Sequence, residues 1–342
     1  QRLKRIGSKV VIVYFLMTVI ACIVGIVMVN ITHPGVGFTL DNMQAFDTSK
    51  VKTPSFVNFL FDMVPVNIVD SMAKNQIMQM IFFTVLVGVA LVSLGEKVAG
   101  VTKIFDQCAG IIYKMLDIVM LYSPIGVLAL MANTTAVFGP KLFGVLAKFV
   151  FTDWVGCLLI WFFFSGIVWL YTKVNYLEMC KSMIPIWVNT IATNSSAGTI
   201  PITLNVTTER LKVPMSIASF SIPLGATINL TGAALYKTIL AFFVAEIYGL
   251  QLTIDQILMV IIISTIMSIA APGIPGGGIV TGAIFLNLLG LPMDLMGPIA
   301  GMYRLIDMSH TTVNVSGDVL GTMLVAKNEN IWTGEDFNKT LV

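Results

Sequence analysis

Long uncharged apolar runs, separated by polar connections, set the first pattern along the chain. Residues 10–30 carry no formal charge. At 1.5 Å rise per residue about 20 residues cross a hydrocarbon core, so this run predicts a spanning helix. Residues 31–54, rich in Pro, Gly, Asp, Lys and Thr, predict an exposed loop. A half-apolar segment, 56–69, is broken at Pro65 and leads into a second uncharged run, 77–94. A third run, 109–132, holds Lys114, Asp117 and Pro124, and the proline predicts a kink. The fourth, 142–172, is strongly aromatic from 161 to 169.

Beyond residue 176 the runs shorten, and Ser, Thr, Asn, Gly and Pro interrupt them. Arms of roughly a dozen residues flank NSSAGTIP (194–201) and APGIPGGG (271–278). Such arms are too short to cross twice but long enough to dip and return, so both read as re-entrant hairpins. After each hairpin comes a longer helix expected to be interrupted: 214–248 at NLTG (229–232), and 292–327 at NVSG (314–317). Hairpin followed by broken helix therefore occurs twice.

With the first span starting in the cytoplasm, Arg2, Lys4, Arg5, Lys97, Lys103, Lys173, Lys181, Arg210, Lys212 and Lys327 fall inside, and Lys50, Lys52 and Lys141 outside. That satisfies the positive-inside bias. It also brings the two hairpins in from opposite faces. Inverted repeats with broken helices are the architecture of secondary transporters.

Composition sharpens this reading. The 342 residues are 56% apolar and 11% charged, against about 45–50% and 25% for soluble domains. A water-soluble globule is excluded, and lipid is the expected solvent. A net charge of +2 offers no basic field for nucleic acid. Cys22, Cys108, Cys157 and Cys180 are scattered and read as free thiols. Two histidines exclude a His-rich metal centre, and GxxxxGK and HExxH are absent, so no enzyme is expected. The opening basic flank precedes a run too long for a signal peptide.

Candidate chemistry concentrates in the last helix. Asp307, Thr311, Asn314 and Asp318 stand at i, i+4, i+7 and i+11, on one stripe with His310 at its edge. Acids at membrane depth require a cationic partner, either an ammonium group, a metal ion or a proton. Lys237 and Arg304 are expected at an interface or reaching toward headgroups. The polar backbone at the two tips and in the interrupted helices must line a wet cavity, because unpaired N–H and C=O groups cost several kcal/mol each in lipid.

Together YSPIGVLAL, SSAGTIP, IPLGATINLTGAAL, PGIPGGG and DMSHTTVNVSGD resemble the glutamate transporter family of dicarboxylate and amino acid:cation symporters. The resemblance implies an all-α membrane protein with inverted repeats, two re-entrant hairpins and interrupted helices. It also implies a homotrimer in lipid, in a bacterial or archaeal plasma membrane, whose transport core moves like an elevator. On this reading 1–94 is mostly scaffold, 95–175 holds two further spans, 176–327 is the transport core and 328–342 a cytoplasmic tail. The family begins with two more helices, so the chain is expected to start just before the third.

By motif position, Asp307 resembles the ligand of a substrate α-amino group, beside Thr311. Ser195, Ser196 and Asn314 would hold the α-carboxylate, with Ile274 and Gly278 of the second tip closing over it. Asp318 with carbonyls of Gly225, Asn229 and Asn314 resembles one Na⁺ site. Carbonyls of Thr227, Ser268, Ile269 and Ala271 resemble another. Tyr14, Thr18 and Thr231 mark a further ion site, weakened because Met17 replaces a hydroxyl and Thr231 an acid. Leu230 replaces a thioether near the second ion. His310 stands where acidic amino acid transporters have an arginine, and Ala233 where they have a threonine. An imidazole lacks the guanidinium fork. The substrate expected from these departures is a small neutral amino acid such as serine, threonine or alanine, with acidic amino acids or C4-dicarboxylates as the alternative.

Overall fold

The computed structural model describes residues 2–38, 61–74, 76–139, 141–269, 273 and 275–339, which are helical with short connections and contain no strand. The chain forms two compact units, Gln1–Lys52 with Thr135–Val342, and Thr53–Thr134.

In the larger unit α1 is Arg2–Thr32, and the smaller unit contains a short helix. This short helix, α2 (Ile68–Ala73), is capped by Asn67, whose side chain accepts from Val69 N at 2.9 Å. It is followed by α3 (Ile77–Leu94), matching the second apolar run, then a tight turn, α4 (Ala99–Leu121) and most of α5 (Ser123–Phe138). The third run is two helices rather than one kinked helix. Pro124 lacks an N–H and crowds the preceding turn, so the helix ends before Tyr122 and α5 starts with the proline in its first turn. Val92, Leu121 and Leu128 are 83%, 77% and 72% exposed. Apolar faces this bare suit lipid or protein as their solvent.

The larger unit contains α1, α6 (Lys141–Thr172), α7 (Tyr176–Thr193), α8 (Ser196–Asn205), α9 (Met215–Ile228), α10 (Thr231–Ile247), α11 (Ile254–Ile269), α12 (Gly277–Leu288), α13 (Met296–Asn328) and α14 (Gly334–Asn338). Among the described residues four segments are long and apolar enough to cross a membrane: Arg5–Thr32, Lys141–Thr172 and Met215–Ile247 in this unit, and Met78–Ile112 in the smaller one. At the centre, α10 is buried on nearly all sides by α1, α6, α11 and α13, as an almost uniformly apolar helix should be. A Cβ at Gly25 of α1 would lie 3.2 Å from the Leu235 carbonyl of α10, so the bare glycine allows that close approach.

The helix pairs α7/α8 and α11/α12 enter this unit from opposite ends. At one end Arg5 and Lys9 of α1 pair with Glu329 after α13, and Trp332 Nε1 donates to Leu211 O at the base of the first pair. At the other, His33 Nδ1 lies 3.0 Å from Glu246 Oε1, and α11 starts just beyond α10. Where α7 meets α8, Asn194 turns the chain with φ 52° and Ser195 caps α8, its Oγ accepting from Gly198 N at 3.1 Å. The tips meet: Ser195 Oγ and Ala197 N both donate to Gly273 O, at 3.3 and 3.4 Å.

The interruption expected at NLTG is present as a break at Asn229–Leu230 between α9 and α10. The one expected at NVSG is absent, since α13 runs unbroken through it. Asn314 does not compete with its own backbone, because its Oδ1 accepts from Gly232 N of α10 at 2.7 Å. Compactness also divides the chain differently from the partition drawn on expected motion. α1 packs against α10 and α6, whereas α3 belongs to the other unit.

Candidate functional site

A cavity of ≈ 30 Å³ lies where the two tips face α10 and α13. Ser196, Gly278, Asp307, His310, Thr311 and Asn314, all chosen from the sequence, line it. So do Tyr303 and Thr281, which the sequence reading passed over, although Tyr303 precedes Asp307 by one helical turn. Ser195 stands beside the cavity and serves as the α8 cap. Ile274 and Ala271 lie outside the described residues. The space holds about two water molecules, too little for an amino acid.

Asp307 is 8% exposed. Its Oδ2 accepts from Gly276 N at 3.1 Å, and Tyr303 Oη donates to Oδ1 at 3.5 Å. Among the described residues no lysine or arginine pairs with it. Arg304, one turn away, turns its guanidinium to Ala192 O, in keeping with its expected peripheral place. A buried carboxylate with neutral partners and an open side can receive an ammonium group. Gly276, at φ +76°, shapes the turn that aims its own N–H at this carboxylate. A Cβ at Gly278 would land 1.7 Å from Tyr303 Oη, so only glycine lets α12 pass the phenol.

His310 is held from behind. Its Nε2 lies 2.8 Å from Oδ1 of Asp153 on α6, and Ser309 Oγ donates to the other carboxylate oxygen at 3.1 Å. Asp153 is fully buried and His310 is 1% exposed. An ionised carboxylate only accepts, which places a ring proton on Nε2 and leaves Nδ1 as the free nitrogen. Nδ1 is buried with no protein partner. Tyr236 and Tyr303 flank the ring at centroid distances of 5.3 and 6.2 Å. The sequence reading missed Asp153. The available signal was a lone acid inside a long aromatic run, and an acid at that depth is a functional candidate in itself. Cys157, one turn further along α6, brings a third ligand-type atom, all three lying within 4.8 Å of one another. The His310–Asp153 hydrogen bond accounts for two of them without a metal.

The three expected ion sites differ in how well their donors suit Na⁺. At the first, Asp318 is 1% exposed and Asn229 Nδ2 donates to its Oδ1 at 2.9 Å. Asn229 Oδ1 is buried without a partner. A Cβ at Gly225 would fall 2.3 Å from Asp318 Oδ1, so the glycine backbone sits directly against the carboxylate. A buried carboxylate, an unpaired amide oxygen and nearby backbone carbonyls fit Na⁺. The Asn314 carbonyl, expected to be unwound, lies instead in continuous helix, facing Asn229 Nδ2 at 3.5 Å.

At the second site Thr227 is exposed at the end of α9 and Ser268 and Ile269 end α11. Against Ser268 lies Lys237, which was expected near headgroups and is instead fully buried. Its place on α10 decides this, because nearly every residue of that helix, Lys237 among them, is buried against its neighbours. At the third, Tyr14 Oη faces Ser221 O and Asp318 O, both at 3.1 Å, Thr18 Oγ1 donates to Tyr14 O, and Thr231 Oγ1 lies 3.5 Å from Asn314 Oδ1. Those hydroxyls already have protein partners, and the Met17 methyl lies close to Gly317 beside Asn229.

The chain is similar in sequence to known transport proteins. A proton/glutamate-aspartate symporter of Bacillus subtilis (strain 168) is 30% identical over 342 residues, covering 98% of this chain and 82% of the relative. One from Escherichia coli (strain K12) is 32% identical over 340 residues, covering 96% and 78%. A C4-dicarboxylate transport protein of B. subtilis is 29% identical over 339 residues, covering 96% and 80%. Residues 1–328 match the Sodium:dicarboxylate symporter family. With apolar helices long enough to span a bilayer, the chain is an integral membrane protein of transport rather than catalysis, and it belongs to that family.

Proposed function

We propose that this chain is a cation-coupled secondary symporter of a bacterial plasma membrane, carrying an amino acid with an acidic side chain. The observation that carries the reading is the pairing on one helix of Asp307, open toward the cavity, with His310, whose free Nδ1 belongs to a ring anchored on Asp153. Asp307 receives the substrate ammonium. A proton taken up at Nδ1 makes the ring a donor to a carboxylate, and the positive ring is then balanced by Asp153. Relatives described as glutamate-aspartate symporters support the acidic class over the neutral one expected from His310 and Ala233. A C4-dicarboxylate would bring no ammonium and would leave Asp307 facing a second negative charge.

Na⁺, when bound, neutralises the buried Asp318 carboxylate, with Asn229 and Gly225 as its neighbours. The tips part for entry by breaking the two hydrogen bonds to Gly273 O. The moving body of an elevator would be the larger compact unit, α1 and α6 included, because those helices pack on α10 and α13. The bare apolar faces of α3 to α5 offer the surface for a homotrimer.

A second reading, small neutral amino acids, draws on the single free ring nitrogen and on Ala233, which adds no hydroxyl to the cavity wall. Uptake into proteoliposomes separates the two. Radiolabelled L-aspartate is expected to accumulate under an inward Na⁺ or H⁺ gradient, with little L-serine. Serine uptake alone favours the second reading, and uptake of neither under any gradient overturns both.

A further inference from the structure

Lys237 is a fully buried ammonium-bearing side chain in the centre of α10. Its Nζ donates to Ala233 O at 3.3 Å and to Ser268 Oγ at 3.2 Å. Among the described residues no carboxylate lies within ion-pair distance of it. A charge taken out of water needs compensation. Here that compensation comes from neutral oxygens and from position. Ser268 and Ile269 form the last residues of α11, where carbonyls without intrahelical partners and the negative end of the helix dipole gather.

The carbonyls of those same two residues are half of the oxygen set that the family resemblance implies for a second Na⁺, and the Ser268 hydroxyl already accepts from Lys237. We infer that Lys237 is the resident cation of this site. Its ammonium provides the positive charge that the inner end of α11 calls for and keeps an alkali ion away, so the chain binds one Na⁺ fewer than its motifs imply. Like charges close together repel even at the effective dielectric of about 20 that describes protein sites, so the ammonium weakens binding of an alkali ion beside it. The Asp318 site has no such resident cation and keeps its fit for Na⁺. The inference concerns ion number and holds whichever amino acid is carried.

The test is ion binding by the purified protein in detergent. Equilibrium binding of ²²Na⁺ to the unaltered protein is expected to saturate at one ion per chain, and Asp318→Asn to abolish it. Two or more ions per chain with Lys237 in place overturn the inference. In thermal unfolding, Asp318→Asn is expected to show equal midpoints in NaCl and choline chloride at matched ionic strength. Adding Lys237→Gln, or Lys237→Met, to that variant is expected to create a Na⁺-specific rise in midpoint, because a ligand bound only to the folded state stabilises it. Adding Lys237→Arg is expected to create none. Folded double variants that gain no Na⁺ response also overturn the inference, and the ²²Na⁺ stoichiometry of the unaltered protein decides the matter independently of any substitution. Transport of no substrate at all would sink the functional proposal and leave this stoichiometry untouched.

Discussion

The Nε2 of His310 and the Oδ1 of Asp153 lie 2.8 Å apart with side-chain exposures of 1% and 0%, which commits one ring nitrogen to α6 and leaves the other buried without a protein partner. The groups facing the ring are Asp153 and Cys157 on α6, Tyr236 on α10, and Tyr303 and Asp307 on its own helix. A substrate carboxylate can be held at Nδ1 only when that nitrogen carries a proton, which converts it from acceptor to donor. Asp153→Asn keeps the shape but removes the charge, and charged hydrogen bonds exceed neutral ones by about 1–2 kcal/mol. Calorimetric titration should show about 10-fold weaker aspartate binding in that variant. Unaltered affinity removes Asp153 from the recognition of substrate.

Asp307→Asn preserves size and the bond from Gly276 N but cannot balance an ammonium. Loss of a charge-assisted contact of about 2–3 kcal/mol corresponds to a 30- to 100-fold weaker amino acid affinity. Unfolding midpoints and assembly should change little, since Asp307 holds no other charge in place. Intact amino acid binding by a folded variant argues against the assigned role. A dicarboxylate lacking an amine, by contrast, is expected to bind the variant at least as well.

Gly278→Ala forces a methyl into Tyr303 Oη, 1.7 Å from the ideal Cβ position. The phenol must swing away, taking its hydroxyl from Asp307, and such overpacking costs about 1–3 kcal/mol. Binding titrations should show at least a 10-fold loss. Adding Tyr303→Phe clears the oxygen and is expected to recover part of it, and absence of any recovery would locate the damage elsewhere.

Gly225→Ala places a Cβ 2.3 Å from Asp318 Oδ1 and 3.0 Å from Tyr14 Oη. Its expected signature is a lowered unfolding midpoint in choline chloride together with a reduced additional rise in NaCl. A full Na⁺ response in this variant would detach Gly225 from the ion site.

Glu329 ties the start of α1 to the end of α13 through Arg5 and Lys9. Their hydrogen bonds and charges hold its carboxyl down to about 2, below the usual value of about 4.3. A folded-state value below the unfolded one means that the contribution to stability is complete above the ordinary carboxylate range and disappears as pH falls through about 2. Glu329→Gln should remove that portion of acid sensitivity in thermal unfolding between pH 5 and pH 2. Because Arg5 is 63% exposed, high salt should weaken the effect. Equal acid sensitivity in the variant and the unaltered chain rules the clamp out.

Much of the candidate site was legible along the chain. Asp307, Thr311, Asn314 and His310 share a stripe because helical periodicity alone sets their common face, and Gly and Pro mark the tips through local backbone chemistry. Asp153 was hidden because its meaning comes from a histidine 157 positions away. The unbroken α13 was hidden for a related reason: Asn314 breaks a helix or spans to a neighbour depending on whether Gly232 of α10 is within reach.

The sequence by itself determined the solvent, the helical class, the two tip motifs and the family pattern. Each follows from run length, composition or spacing within a few turns, which no later packing can alter. Tertiary structure alone decided that Lys237 is buried against Ser268, that Asp153 anchors His310, and that the two tips share the Gly273 carbonyl. Those are encounters between segments 31 to 157 positions apart, set by how helices pack rather than by local preference. A charge or imidazole in an apolar run has no fixed role until packing supplies the group that faces it.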